Sequence, residues 1–282
     1  MREYNLELVG LHTVLRTPDE ISISDNLRPF LCPPHNETDC TIELQSCARL
    51  PVFSSNGVWH GPEFYDTACN VRRIFHCDAP NKEAFAVTQL GGNGKIEILV
   101  LPAFLNRFSG SEGIFNRIGM ETLLLQHKGL LLHASLIKYN DLTIAFAGPS
   151  GIGKSTQADL WKRCLGAEIL NGDRAALRMT PKGWFAYGSP YAGTSGIYKK
   201  GGAPLGAIVL LEQAEENSLH RLTETESFRR LYPEFSLHHW DSAFVAEATD
   251  LALCLLAQTP VYLLRCRPEE DAALLLKKGL GL

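Results

Sequence analysis

Gly148-Pro149-Ser150-Gly151-Ile152-Gly153-Lys154-Ser155-Thr156 decides how the chain is read. The spacing matches G-x-x-x-x-G-K-[ST], the pattern of a phosphate-binding loop, and the flanks suit it. The run Leu142 to Ala147 before it is apolar and strand-like, and Thr156 to Leu165 after it predicts a helix that Gly166 ends. Strand, glycine loop and helix in that order let backbone amides turn onto phosphate oxygens at a helix N-terminus, whose unpaired N–H groups favour an anion. On this reading Gly148, Ser150, Gly151, Ile152, Gly153, Lys154, Ser155 and Thr156 hold a nucleotide. Lys154 reaches the β- and γ-phosphates, and the Ser155 hydroxyl ligates Mg²⁺, a hard cation that takes few protein ligands. The plain alternative is a glycine-rich turn that only links a strand to a helix.

Working outward, 282 residues at 45% hydrophobic composition are enough for a sizeable core and suggest two domains. A formal net charge of −4, with no block of like charge, gives no reason to expect nucleic acid. Two acids stand in the first seven residues, unlike a signal peptide, and no apolar stretch approaches the ~20 residues of a membrane helix. No membrane partner and a cytoplasmic location are therefore expected. The eight cysteines, Cys32, Cys40, Cys47, Cys69, Cys77, Cys164, Cys254 and Cys266, contain no C-x-x-C pair. Reduced, mostly buried thiols are expected rather than a disulfide framework or zinc site.

Residues 1–108 form a β-rich N-terminal region, a candidate for acceptor or partner recognition, and 109–282 form the domain carrying the loop. Strands are predicted at Tyr4 to Leu15, Cys40 to Ala48, Val71 to Cys77, Ala84 to Gln89 and Lys95 to Leu101, with Gly91-Gly92-Asn93-Gly94 as a hairpin turn. Ser111 to Lys128 reads as a helix capped by Ser109 or Ser111 and ended by Gly129. Strands follow at Leu130 to Tyr139, Leu142 to Ala147, Ala167 to Leu170, Ala175 to Met179, Gly183 to Tyr187, Ala207 to Leu211 and Val261 to Arg265. Further helices are predicted at Trp240 to Ala257 and from Pro268 onward. Adjacent strands joined by short turns argue for α/β with a mixed sheet.

Asp173 is the candidate for metal or proton handling, because it follows the first strand after the loop helix, where sheet ligands gather. It would otherwise be a turn aspartate paired with Arg174. His133 precedes a tight turn into the loop strand, which can bring it near the nucleotide. The glycine- and hydroxyl-rich stretch Gly188 to Gly202, with Lys199 and Lys200, reads as a mobile substrate loop or a plain surface loop. Glu212 is a weaker candidate at another strand end.

Leu132-His133-Ala134, the loop Gly148 to Ser155, and Gly172-Asp173-Arg174 together resemble the HprK-like kinases, relatives of HPr kinase/phosphorylase. The resemblance spans about Leu130 to Ser195. It implies a P-loop kinase domain of the PEP-carboxykinase-like type, with ATP and Mg²⁺ as cofactors. Lys154, Asp173 and His133 would be catalytic, Ser155 and Asp173 would ligate metal, and the activity would be phosphorylation of a serine-like hydroxyl. The acceptor would be a peptide, protein or small molecule. Gly172 stands where the family's regulators carry the first member of an acidic doublet, which argues against the HPr protein itself as acceptor. A nucleotide-binding regulatory protein with reduced catalysis, and a P-loop hydrolase, are the alternatives. Nothing decides oligomeric state, and a homo-oligomer is left open.

Overall fold

The computed structural model describes residues 1–54, 56–66, 72–78, 82–91, 94–109, 113–191 and 193–282. The chain divides into two compact units, Met1–Gln126 and His127–Leu282, so residues 109–126 fall in the first. Cys69, the turn residues Gly92 and Asn93, and Ser111 lie outside the described residues.

The first unit is built on an eight-stranded mixed sheet of β1 (Arg2–Leu8), β2 (Leu11–Thr17), β3 (Cys40–Ser46), β4 (Val58–His60), β5 (Glu63–Asp66), β6 (Arg72–Asp78), β7 (Glu83–Leu90) and β8 (Lys95–Val100). The order is β1-β2-β3-β8-β7-β6-β5-β4, with β3 parallel to both neighbours. Burial alternates along it: Cys40, Ile42 and Leu44 on β3 and Ile96, Ile98 and Val100 on β8 point inward. The single strand expected over Tyr4 to Leu15 is instead the hairpin β1–β2, turned at Val9 and Gly10 with φ of 51° and 71°. A valine at positive φ carries no turn signal in sequence. The helix expected over Ser111 to Lys128 shrinks to a 3₁₀ turn, Phe115–Arg117, and α1 (Met120–Gln126). Gly119, at φ 65°, separates the two. Lys128, at φ 56°, ends the segment, and Gly129 already belongs to the next strand.

The second unit contains β9 (Gly129–Tyr139), β10 (Leu142–Ala147), α2 (Lys154–Leu165), β11 (Glu168–Asn171), β12 (Arg174–Thr180), β13 (Gly183–Tyr187), β14 (Gly202–Gln213), β15 (Ser218–Arg221), α3 (Glu224–Leu231), α4 (Ser242–Gln258), β16 (Val261–Cys266) and α5 (Glu270–Leu280). The long strands β9 and β14 change partners along their length. The first half of β9 pairs with β12 and the second with β10 and β11, while β14 pairs first with β13 and then with β10 and β16. The pairing β10-β9-β12-β13-β14-β10 thereby closes on itself, and strands β10, β14 and β16 run parallel beside it. The sheet is mixed, as expected from the short turns.

Helices α2 and α5 bury Ala158, Leu160, Trp161, Ala272, Ala273 and Leu276 against Ile144, Phe146, Val209, Leu211 and Leu264. The alternate residues Ala145, Ala147, Ile208 and Leu210 are buried too, so these strands are covered on both faces and read as continuous apolar runs. The strands β4, β5 and β15 escaped the sequence reading, as did α3, whose N-terminus carries a capping box between Thr223 and Glu226. Among the described residues no helix is long and apolar enough to cross a membrane, and no group of three or more His, Cys, Asp or Glu side chains could hold a metal. The seven described cysteines are free, with Cys40, Cys77 and Cys266 buried.

Trp161 is fully buried against Tyr139 and Phe146, at ring distances of 5.4 and 6.4 Å. Trp161→Ala should lower the unfolding free energy of this unit by about 3–5 kcal/mol, the usual cost of emptying such a site. Denaturant unfolding followed by circular dichroism checks this, and a change below 1 kcal/mol would mean that the helix is not anchored there.

Candidate functional site

The loop between β10 and α2 is shaped by glycines. Gly148, Gly151 and Gly153 have φ of 138°, 78° and 114°. At Gly151 and Gly153 a side chain would meet nothing within 4 Å, so backbone conformation rather than space demands glycine there. Gly153 caps α2 without a side chain, and the first helical bond runs from Gln157 N–H to Gly153 C=O. The amides of the first turn thus have no helical acceptor and give this end of α2 its positive field. The Ser155 and Thr156 side chains are exposed on that turn, with no hydrogen bond among the described residues.

Lys154 begins the helix, and its residue is 8% exposed. Its ammonium folds back to donate to the carbonyls of Gly148 (2.6 Å) and Pro149 (3.0 Å). Burial lowers its pKa from the ordinary 10.5, while the charges of Glu234 and Asp173 raise it, and the net direction is down.

Asp173 and His133 are brought together by strand pairing. His133 on β9 stands opposite Arg174 on β12, and Ala134 N–H donates to Asp173 C=O at 2.9 Å. His133 is the one partly exposed residue between Gly129 and Ile137. Its Nε2 lies 3.6 Å from Asp173 Oδ1, and its Nδ1 lies 3.3 Å from Glu234 Oε2. Arg174 Nε is 3.7 Å from Asp173 Oδ2, its guanidinium donates to Ser236 Oγ at 3.0 Å, and it lies over the Tyr191 ring. Asp173 therefore does face Arg174, but within a larger cluster.

Sequence reasoning missed Asn171, Glu234 and Ser236. Asn171 Oδ1 accepts from the amides of Asp173 (2.8 Å) and Arg174 (2.7 Å), and Nδ2 donates to the carbonyls of Ser189 (2.9 Å) and Tyr191 (2.8 Å). Asn171-Gly172-Asp173 was legible as a turn, but not as one stitched to a distant loop. Glu234 and Ser236 arrive because the segment after α3 docks on β9, where Ser236 N–H donates to Leu131 C=O and Phe235 bridges to Leu132. No local signal marks them.

The glycine-rich stretch from Gly188 is tied to the sheet by Gly188 N–H to Gly201 C=O, Lys199 N–H to Leu170 C=O and Gly172 N–H to Ile197 C=O. Lys199 pairs with Glu168 at 2.8 Å. Glu212 is held by Arg265 at 3.0 Å and Arg230 at 3.6 Å. Neither side chain is among the groups around Lys154. On the other side of the loop, a cavity of about 430 Å³ is lined by Ile152, Thr156, Gln157, Gln213, Cys266 and Arg267. That is large enough for the base end of a nucleotide.

Two substitutions probe this geometry. Gly172 has no positive φ, yet a Cβ there would overlap Ser195. Gly172→Ala should push the turn at 193–195 away and speed hydrogen exchange at Gly172 N–H and its neighbours, with Ser195→Gly restoring protection. Equal exchange in all three proteins would refute the close packing. Glu234→Gln removes an anion that favours the charged lysine, so the Lys154 pKa should fall further below 10.5. Heteronuclear NMR titration of the lysine Nζ reads the direction, and a rise would contradict it.

No family model matches the chain, and no curated protein matches it. Among solved structures, the chain is similar to one described as the Hpr(Ser) kinase/phosphatase from Coxiella burnetii, with a TM-score of 0.32 and 12% identity over 52% of this chain and 86% of that one.

Proposed function

We propose that the chain is an ATP- and Mg²⁺-dependent phosphotransferase, a P-loop kinase of the HprK-like, PEP-carboxykinase-like kind, acting on a serine-like hydroxyl of a peptide, protein or small metabolite. The observation that carries this reading is the setting of Lys154: a shielded ammonium at the start of α2, acted on by the charges of Asp173 and Glu234. The residues fit the cofactors. Free first-turn amides and Lys154 suit a polyphosphate, and the exposed Ser155 hydroxyl, with Asp173 nearby in charge, suits an ion that keeps most of its water and phosphate ligands.

Bound Mg²⁺·ATP supplies the γ-phosphoryl group and the metal charge. Lys154 would exchange its loop carbonyls for phosphate oxygens and hold the negative charge that grows on the donor. Asp173, fixed by Asn171, would orient the acceptor hydroxyl and take its proton or hold the metal. His133, whose Nε2 lies 3.6 Å from Asp173 Oδ1, would reach the phosphate or the acceptor. Acceptor or partner recognition by the N-terminal region belongs to the same proposal. It is supported by a cavity of about 540 Å³ in that unit, lined by Glu63, His76, Phe85, Arg107 and Arg117.

Lys154→Ala should weaken Mg²⁺·ATP binding and nearly abolish transfer, while Asp173→Asn should keep much of the affinity and cut transfer about 10²-fold or more, in the range for losing general-base help. Calorimetry with Mg²⁺·ATP and labelled-phosphate transfer to candidate acceptors check both. Unchanged affinity and turnover in a folded Lys154→Ala protein would overturn the reading, and phosphate release without acceptor labelling would make the protein a hydrolase.

A further inference from the structure

The part of the glycine-rich stretch nearest the candidate site is the 3₁₀ turn Gly193–Ser195. It is held against the Asn171–Asp173 turn at two points. A methyl group at Gly193 would lie 2.6 Å from Asp173 Cβ and 3.0 Å from Oδ2, so the backbone at 193 rests directly on the carboxylate. Two residues beyond, Ser195 packs so closely on Gly172 that no Cβ fits between them. Gly193 is at φ 53°, a left-handed conformation that favours glycine, and the room it leaves is what lets the turn lie this low. Between these anchors stands Thr194. Its side chain is exposed and makes no hydrogen bond among the described residues, whereas Ser195 Oγ accepts from Ile197 N–H at 3.2 Å.

We propose that Thr194 is a phosphorylation site of the protein on itself, within one chain, an inference that rests on the kinase reading above. Thr194 follows directly on the backbone that rests on the carboxylate that would orient an acceptor, and its exposed hydroxyl is free to serve as that acceptor. In the step, the Thr194 O–H bond breaks as Oγ1 bonds to the γ-phosphorus of ATP. The bond from that phosphorus to the β–γ bridging oxygen breaks, and ADP leaves with the electron pair. The proton passes to the Asp173 carboxylate. Arg174, over Tyr191 and 3.7 Å from Asp173, supplies a cation on this side of the site for the new phosphate. Holding the acceptor in the same molecule removes the entropy cost of bringing two reactants together, so the reaction needs no partner.

The test is to incubate the full chain with Mg²⁺ and γ-labelled ATP over a range of protein concentrations, to map the label by peptide fragmentation, and to measure Mg²⁺·ATP binding on the same samples. The expected result is phosphothreonine at 194, formed at a fractional rate independent of protein concentration, retained in Thr194→Ser and lost in Thr194→Ala, which still binds Mg²⁺·ATP. Label at Ser195 or elsewhere, a fractional rate that rises with protein concentration, or no label despite bound nucleotide would overturn the inference and leave the kinase reading standing. Absence of nucleotide binding would overturn both.

Discussion

The candidate site depends on one buried amide. Asn171 is fully buried, and its side chain accepts from two amides of the turn that carries Asp173 while donating to two carbonyls of the stretch that begins at Ser189. Each half of the amide thus does a different job: one closes the β11–β12 turn, and the other ties that turn to the glycine-rich segment. Aspartate could accept the same amide hydrogens but could not donate to the carbonyls, and leucine could do neither. A buried donor or acceptor left without a partner costs roughly 1–3 kcal/mol, so the network is stable only when complete.

That network places a negative side chain where the loop helix has placed a positive one. Lys154 is short of water, which lowers its pKa, while the charges of Asp173 and Glu234 act the other way and its ammonium donates to two carbonyls of its own loop. The carboxylates come from separate parts of the chain, one from the turn after β11 and one from the segment after α3. His133, on β9, lies between them. Strand β9 is therefore the common support: β12 and the 234–236 segment pair with its first half, and the strand that feeds the loop pairs with its second.

Gly172 acquires a reason in this arrangement. In sequence it looks like the loss of an acidic residue. In the structure the position has no room for any side chain, because Ser195 fills the space that a Cβ would take. The glycine and the low-lying turn at 193–195 are one packing solution, and a carboxylate at 172 would require a different path for the glycine-rich segment. Glu234, meanwhile, brings a second carboxylate to His133 and Lys154 from elsewhere in the chain.

Local chemistry was readable from the residues alone. The loop glycines, the helix from Lys154 to the left-handed cap at Gly166, and the Asn140–Asp141 turn all follow from interactions within a few positions of each other, and the structure has them close to where the sequence predicted. The Val9–Gly10 hairpin was not readable, because valine at positive φ is imposed by the strands on either side. The long helix expected over Ser111 to Lys128 failed at Gly119, where a backbone turn outweighed a helical apolar pattern. The capping box at Thr223 and Glu226 was a legible signal that went unread. What only the tertiary structure decided is which side chains face Lys154 and Asp173. Glu234, Asn171 and Ser195 are set there by pairing and packing between segments far apart in the chain. Such contacts depend on how strands are ordered and registered, and no local pattern around any one of those residues encodes them.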